Sequence, residues 1–116
     1  MKHRIEKNLK ILDELVVFCS KQGGKDIDVH LSFKRDVSEF LVCTKIEKMP
    51  MPALDALKAD LKAEREHEVE ENYWMLGGDS ELEGESQMFL VGIMIDEASI
   101  HYDGQSLTIQ AKRKET

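Results

Sequence analysis

The sequence predicts an α+β fold, a two-layer sandwich in which a mostly antiparallel sheet is covered on one face by helices. Three observations lead there. The chain opens with apolar residues at helical spacing, it carries two pairs of segments that alternate apolar and polar, and a second helical stripe lies between those pairs. At 116 residues the chain is long enough for one hydrophobic core, so a single domain over 1–116 is expected.

Ile5, Leu9, Ile11, Leu12, Leu15, Val16 and Phe18 recur at steps of three and four, the spacing of an amphipathic helix. Gly23 and Gly24 follow and suit a left-handed helix stop. Next, Ile27, Val29, Leu31 and Phe33 alternate with Asp28, His30 and Ser32, the period of a half-buried strand. A second strand is expected from Ser38 to Ile46, and the short polar Lys34-Arg35-Asp36 segment joins the two as an antiparallel hairpin.

Met49-Pro50-Met51-Pro52 interrupts the pattern, because a proline cannot donate to a ladder and restricts the residue before it. Helix is expected again from about Ala53, with Leu54, Leu57 and Leu61 as one stripe and Val69, Tyr73 and Leu76 nearly in phase with it. The charged Glu64 to Glu68 stretch leaves two readings, one long helix solvated in its middle or two helices broken there. Gly77 to Ser86 is rich in glycine and acid and reads as a mobile surface loop, flexible over about 77–87. Met88 to Ile95 is apolar, and at that length a buried strand and a buried helix have the same signature. Ile100 and Tyr102 alternate, Asp103-Gly104 is a hairpin-turn dipeptide, and Leu107, Ile109 and Ala111 alternate again.

Charge is unevenly distributed. Met1 to Lys62 holds 12 basic and 10 acidic side chains, Ala63 to Ala111 holds Arg65 against 12 acids, and Lys112, Arg113 and Lys114 close the chain beside Glu115. An acidic middle repels phosphate backbones and no aromatics interleave with a basic stripe, so no nucleic-acid partner is expected. The apolar run at 88–95 is far below the roughly 20 residues of a membrane-spanning helix, so no membrane partner is expected either. Met1 to Lys10 is charged and helical in pattern, unlike a secretory leader. Cys19 and Cys43 lie in apolar patterns and read as two buried reduced thiols, which suits a cytoplasmic location.

Two stretches together resemble the Bergerat-fold (GHKL, histidine kinase-like) ATPase superfamily, in its bacterial anti-sigma-factor serine kinase subgroup. The first, Asp13-Glu14-Leu15-Val16-Val17-Phe18-Cys19-Ser20-Lys21-Gln22-Gly23, resembles the family's first nucleotide-binding helix. The second, Leu90-Val91-Gly92-Ile93-Met94-Ile95-Asp96-Glu97-Ala98, resembles an apolar helix ending in an acidic pair before two closing strands, which would make Met88 to Glu97 helix. Glu14 falls on the family's general-base glutamate, whereas Phe18 replaces the asparagine that holds magnesium, and a phenyl ring offers a hard cation no oxygen. The adenine-binding box would fall at Ile46-Glu47-Lys48-Met49-Pro50, without its aspartate or glycines. The phosphate loop would fall between Gly84 and Gly92, where Glu85 adds charge of the wrong sign.

The resemblance therefore implies a fold kept and a nucleotide site lost: a non-catalytic regulatory or protein-interaction module with no cofactor, Glu14 contributing to a site only if ATP is bound after all. It implies a protein partner, and a homodimer is one form, since small members of the group often pair. Two alternatives stand beside it: a weak ATP-binding protein serine kinase, and an unrelated small α+β binding domain whose Met88 to Ile95 run is a central strand.

Other chemistry-bearing patterns fall short. Glu64-Arg65-Glu66-His67 places a Glu-x-x-His pair on one helix face, but a di-iron bundle needs it twice. Glu71 stands where a zinc-protease helix beginning at His67 needs its second histidine. Asp79, Glu81, Glu83 and Glu85 lack the glycine and terminal glutamate of a calcium loop. No catalytic residue and no metal ligand is expected, and the charged stretch reads as a solvated helix. His30 and His101 read as surface residues, and Met49, Met51, Met75, Met88 and Met94 as core filler. Tyr73 and Trp74 are the candidate interaction residues, since adjacent aromatics on a helix cannot both face the core.

Overall fold

A computed structural model describes residues 3–73 and 88–115, the side chains of 72 and 73 excepted. The chain order is α1 (Arg4–Lys21), β1 (Lys25–Phe33), β2 (Val37–Lys45), α2 (Met51–Leu61), α3 (His67–Tyr73), α4 (Met88–Met94), β3 (Glu97–Tyr102) and β4 (Ser106–Lys114). The four strands form one antiparallel sheet in the order β1-β2-β4-β3, the α+β arrangement that the patterns predict.

Helix α1 buries Lys7, Asn8, Ile11, Glu14, Leu15, Phe18 and Cys19, an arc repeating every three or four residues. It stops as expected. Gly23 takes φ +87°, its N–H reaches Ser20 O at 3.0 Å, and the Gly24 N–H reaches Cys19 O at 2.8 Å, so two terminal carbonyls are satisfied. The β1–β2 hairpin follows, with Phe33 opposite Ser38 and His30 opposite Leu41. The second hairpin turns at Asp103, whose carboxylate accepts from the N–H groups of Gln105 and Ser106 at 2.9 and 2.7 Å, while Gly104 adopts φ +93°. Pairing of β2 with β4, Phe40 opposite Ala111 and Val42 opposite Ile109, joins the two hairpins.

Alternation gives the sheet two faces. Phe40, Val42, Leu107, Ile109 and Ala111 point into the core beneath the helices, while Glu39, Gln110 and Lys112 lie on the opposite face. Tyr102 anchors the connection after β2: its hydroxyl donates to Ile46 O at 2.6 Å and accepts from the Met49 N–H at 3.1 Å.

Three expectations need correction or a choice. Helix α2 begins at Met51 rather than Ala53, because Pro52 sits in the first turn, where a missing N–H leaves no intrahelical bond unmade. The charged stretch after Leu61 breaks the helix, and the Glu66 N–H leaves the helical ladder to reach Ile93 O at 3.0 Å. The apolar run is helix, and it ends at Met94 rather than Glu97, which is the first residue of β3. Of its seven residues only Phe89 is exposed, the pattern of a helix enclosed on nearly every side. Gly92 makes that enclosure feasible, since a Cβ there would lie 1.9 Å from the Asp60 carbonyl oxygen of α2.

Candidate interaction site

The residues that the resemblance placed in a nucleotide site divide between the core and the surface: Glu14, Phe18, Ile46 and Met49 are buried, whereas Gly23, Glu47 and Lys48 are exposed. Glu14 and Phe18 are both buried on the inner arc of α1, and Gln22 spends its N–H on Phe18 O at 3.1 Å. Gly92, at the far end of the would-be phosphate loop, is occupied by its approach to α2. Around the place of the adenine box there is a surface depression lined by Gly23, Lys25, Asp26, Lys45 and Glu47, a mixture of both charges.

A buried ionic network lies at the other end of α1. Glu70 of α3 accepts from Lys7 Nζ at 3.0 Å, Arg65 Nε at 3.0 Å and Arg113 Nη2 at 2.7 Å, and Lys7 also meets Glu71. Burial alone would raise the Glu70 pKa, but the bonds and charges of Arg113, Arg65 and Lys7 outweigh it and hold the carboxyl at about 2. Burial likewise works against the charge of Arg113, and Glu70 with Glu115 reverses it, so its pKa is raised. Glu115 accepts from Asn8 Nδ2 at 2.9 Å and from the Ser38 hydroxyl, while Arg113 Nη1 donates to Met94 O at 2.8 Å. Arg65 Nη1 closes the set on Asp96 at 2.8 Å and Lys114 O at 2.6 Å. The Asn8 amide is oriented by its two donated bonds, which leaves its buried Oδ1 without a partner.

This network corrects the reading of the charged stretch as solvated. Glu64, Glu66, His67 and Glu68 are exposed, but the Arg65 and Glu70 side chains turn inward. Their role is to fasten α1, α3 and the end of β4 together, and every strong donor is spent on a protein acceptor. Among the described residues no group of three or more His, Cys, Asp or Glu could hold a metal ion.

The cysteines also differ from expectation. Both are free; Cys19 is buried, with burial pushing its thiol up to about 11, while Cys43 is only half-buried on the sheet face away from the helices. Met49, Met88 and Met94 fill the core, but Met51 is exposed at the start of α2, because its position in the first turn lies outside the Leu54-Leu57-Leu61 stripe. Met75 lies outside the described residues. His30 and His101 are exposed.

Tyr73 is the last residue of α3, its side chain outside the described set, and Trp74 and the acidic loop at 77–87 lie outside the described residues altogether. A different surface carries the exposed apolar side chains. Ile5 (57% exposed) and Leu9 (51%) stand on α1, and Val29 (41%) and Phe33 (47%) on β1, four of the six exposed large apolar residues among those described. The Arg4 guanidinium lies 5.1 Å from the Phe33 ring centroid and reaches Val37 O at 3.2 Å, which joins the start of α1 to the end of β1. Lys7 points the other way, toward Glu70 and β4. Helical spacing then directs Ile5, Leu9, Leu12 and Val16, one stripe at steps of four, three and four, toward the β1 side.

The sequence carried a signal for this surface. Ile5, Leu9, Leu12 and Val16 form a second stripe beside Ile11, Leu15 and Phe18, and the combined arc is wider than one sheet face covers. Strand β1 pairs only with β2 among the described residues, so its apolar face overhangs the sheet edge. No helix among the described residues is long and apolar enough to cross a membrane. No family model matches this chain, and neither does a curated protein or a solved structure.

Proposed function

We propose that this chain is a non-catalytic regulatory or protein-interaction module, similar to an anti-sigma factor of the Bergerat type whose nucleotide site has been lost. The observation that carries the reading is the grouping of Ile5, Leu9, Val29 and Phe33 on one side of the molecule, beside the edge of β1 that no strand among the described residues pairs with. Apolar side chains so grouped, rimmed by polar residues such as Lys25, Asp28 and Lys34, are what a protein partner covers. Support also comes from the benzyl ring of Phe18, which stands in the core where the resemblance would require a magnesium ligand.

Isothermal titration with ATP and magnesium tests the catalytic half of the proposal. No heat is expected at sub-millimolar nucleotide, and a clear binding isotherm would return the chain to the serine-kinase reading. The interaction half is tested by capture from the native cell with the intact chain and with Leu9→Glu, at an exposed position. A specific partner held by the former and lost by a folded Leu9→Glu is expected; equal retention by both would remove this surface from the proposal.

A further inference from the structure

We propose that the occupant of this surface is an extended segment of another protein, added antiparallel to β1 as a further strand and carrying apolar side chains at alternate positions; this rests on the reading of the chain as an interaction module. The backbone of β1 is arranged to take a strand. The Lys34 N–H donates to Val37 O at 2.8 Å and closes the hairpin as a hydrogen-bonded pair, and such pairs alternate along an antiparallel ladder. Ser32, His30 and Asp28 therefore bond toward β2, and Phe33, Leu31 and Val29 turn their N–H and C=O groups to the open edge. A helix spends its own backbone groups internally and would leave that edge unmatched, whereas an added strand bonds to it.

The usual protections of an edge strand are missing from this stretch. Between Asp28 and Phe33 there is no proline and no lysine, and the register irregularity is confined to the Lys25 to Asp28 start. The opposite edge is different: β3 is six residues long and carries no large exposed apolar side chain.

Register sets the chemistry of the added strand. Val29 and Leu31 pair with Val42 and Phe40 and share their face, beneath the helices, and Val29 and Phe33 are exposed there. Ligand residues opposite Val29, Leu31 and Phe33 point to that same face. They meet those three side chains from beside and the Ile5, Leu9, Leu12 and Val16 flank of α1 from above, so they are apolar. The residues between them lie opposite His30 and Ser32 on the outer face and are polar.

Charge at the two ends gives the segment a direction. Asp28 is exposed on the outer face at one end, and a basic residue belongs opposite it. At the other end Lys34 is exposed, in a solvent-open pair with Glu39 at 3.0 Å, and the Arg4 guanidinium stands 5.1 Å from the Phe33 ring centroid. An acidic residue belongs there. An antiparallel segment therefore begins with its acid and ends with its base.

Fluorescence polarisation with the full chain and a labelled peptide tests this. The probe begins with glutamate, ends with lysine and alternates valine with threonine between them, valine first and last. Saturable binding is expected, weakened about tenfold when the glutamate and lysine change places. Asp28→Lys combined with Lys34→Asp should reverse that preference. Methylating the valine amides, which face β1, should abolish binding, while methylating the threonine amides, which face away, should leave it. These changes alter the probe alone, so no loss of folding imitates them. Leu9→Glu, at an exposed position, should also lose the peptide with unchanged far-UV circular dichroism. No binding at millimolar peptide, or binding indifferent to the valine methyl groups, would overturn strand addition and leave the interaction-module reading to the capture experiment. An edge already taken by a second copy, seen as twice the 13.3 kDa chain mass in sedimentation with no peptide bound, would overturn it as well. A captured native partner that the peptide displaces would support both.

Discussion

Arg113 Nη2 lies 2.7 Å from Glu70 Oε2, and this contact ties the end of the central strand β4 to the short helix α3. Seven-residue helices have little stability of their own. The side chain of Glu70 holds α3 in place by engaging Lys7, Arg65 and Arg113 at once.

Replacing Glu70 by Gln is expected to lower unfolding free energy by about 3–5 kcal/mol, because it leaves three cations with too little buried negative charge. Urea unfolding followed by circular dichroism measures it. A change below about 1 kcal/mol would show that water enters and compensates the cations.

The same carboxylate predicts the acid limb of stability. Its folded pKa of about 2 lies below the ordinary 4.5, so the unfolded chain takes up the proton first. The contribution of Glu70 is complete above about pH 4.5 and is lost as pH falls toward 2. Melting temperature should therefore fall more steeply over that window in the parent chain than in Glu70→Gln.

Gly92→Ala tests the contact between α4 and α2. The added methyl would meet the Asp60 carbonyl oxygen at 1.9 Å, and a backbone atom cannot swing aside as a side chain does. A loss of about 1–3 kcal/mol is expected in chemical denaturation. Gly104→Ala meets no atom within 4 Å and is strained only through its φ of +93°, so it separates crowding from backbone strain.

The two thiols should react at different rates. Cys19 is buried and its thiol is pushed up to about 11, while Cys43 is half-buried. A disulfide reagent at neutral pH should label one thiol in the folded protein and two in denaturant, with Cys43→Ser removing the fast phase.

The Tyr102 hydroxyl joins two otherwise separate backbone groups, Ile46 O and the Met49 N–H. Tyr102→Phe should cost about 1–3 kcal/mol through the two groups left unmatched. It should also speed hydrogen exchange of the Met49 amide beyond that of amides in β2.

Local features were legible in the sequence by itself, because they depend on a few neighbouring residues. The inner arc of α1, its stop at Gly23, both hairpins and the Asp103-Gly104 turn follow from period and turn chemistry, and with them the α+β class. The pairing of β2 with β4 was decided by tertiary structure, since two alternating apolar strands do not announce their neighbours. So was the helical state of 88–94, where a run apolar on every side takes the form whose Gly92 fits against α2. Arg65, Glu70 and Arg113 read as surface charges one at a time, and only their approach to one another in the folded chain provides the Coulomb attraction that offsets burying them.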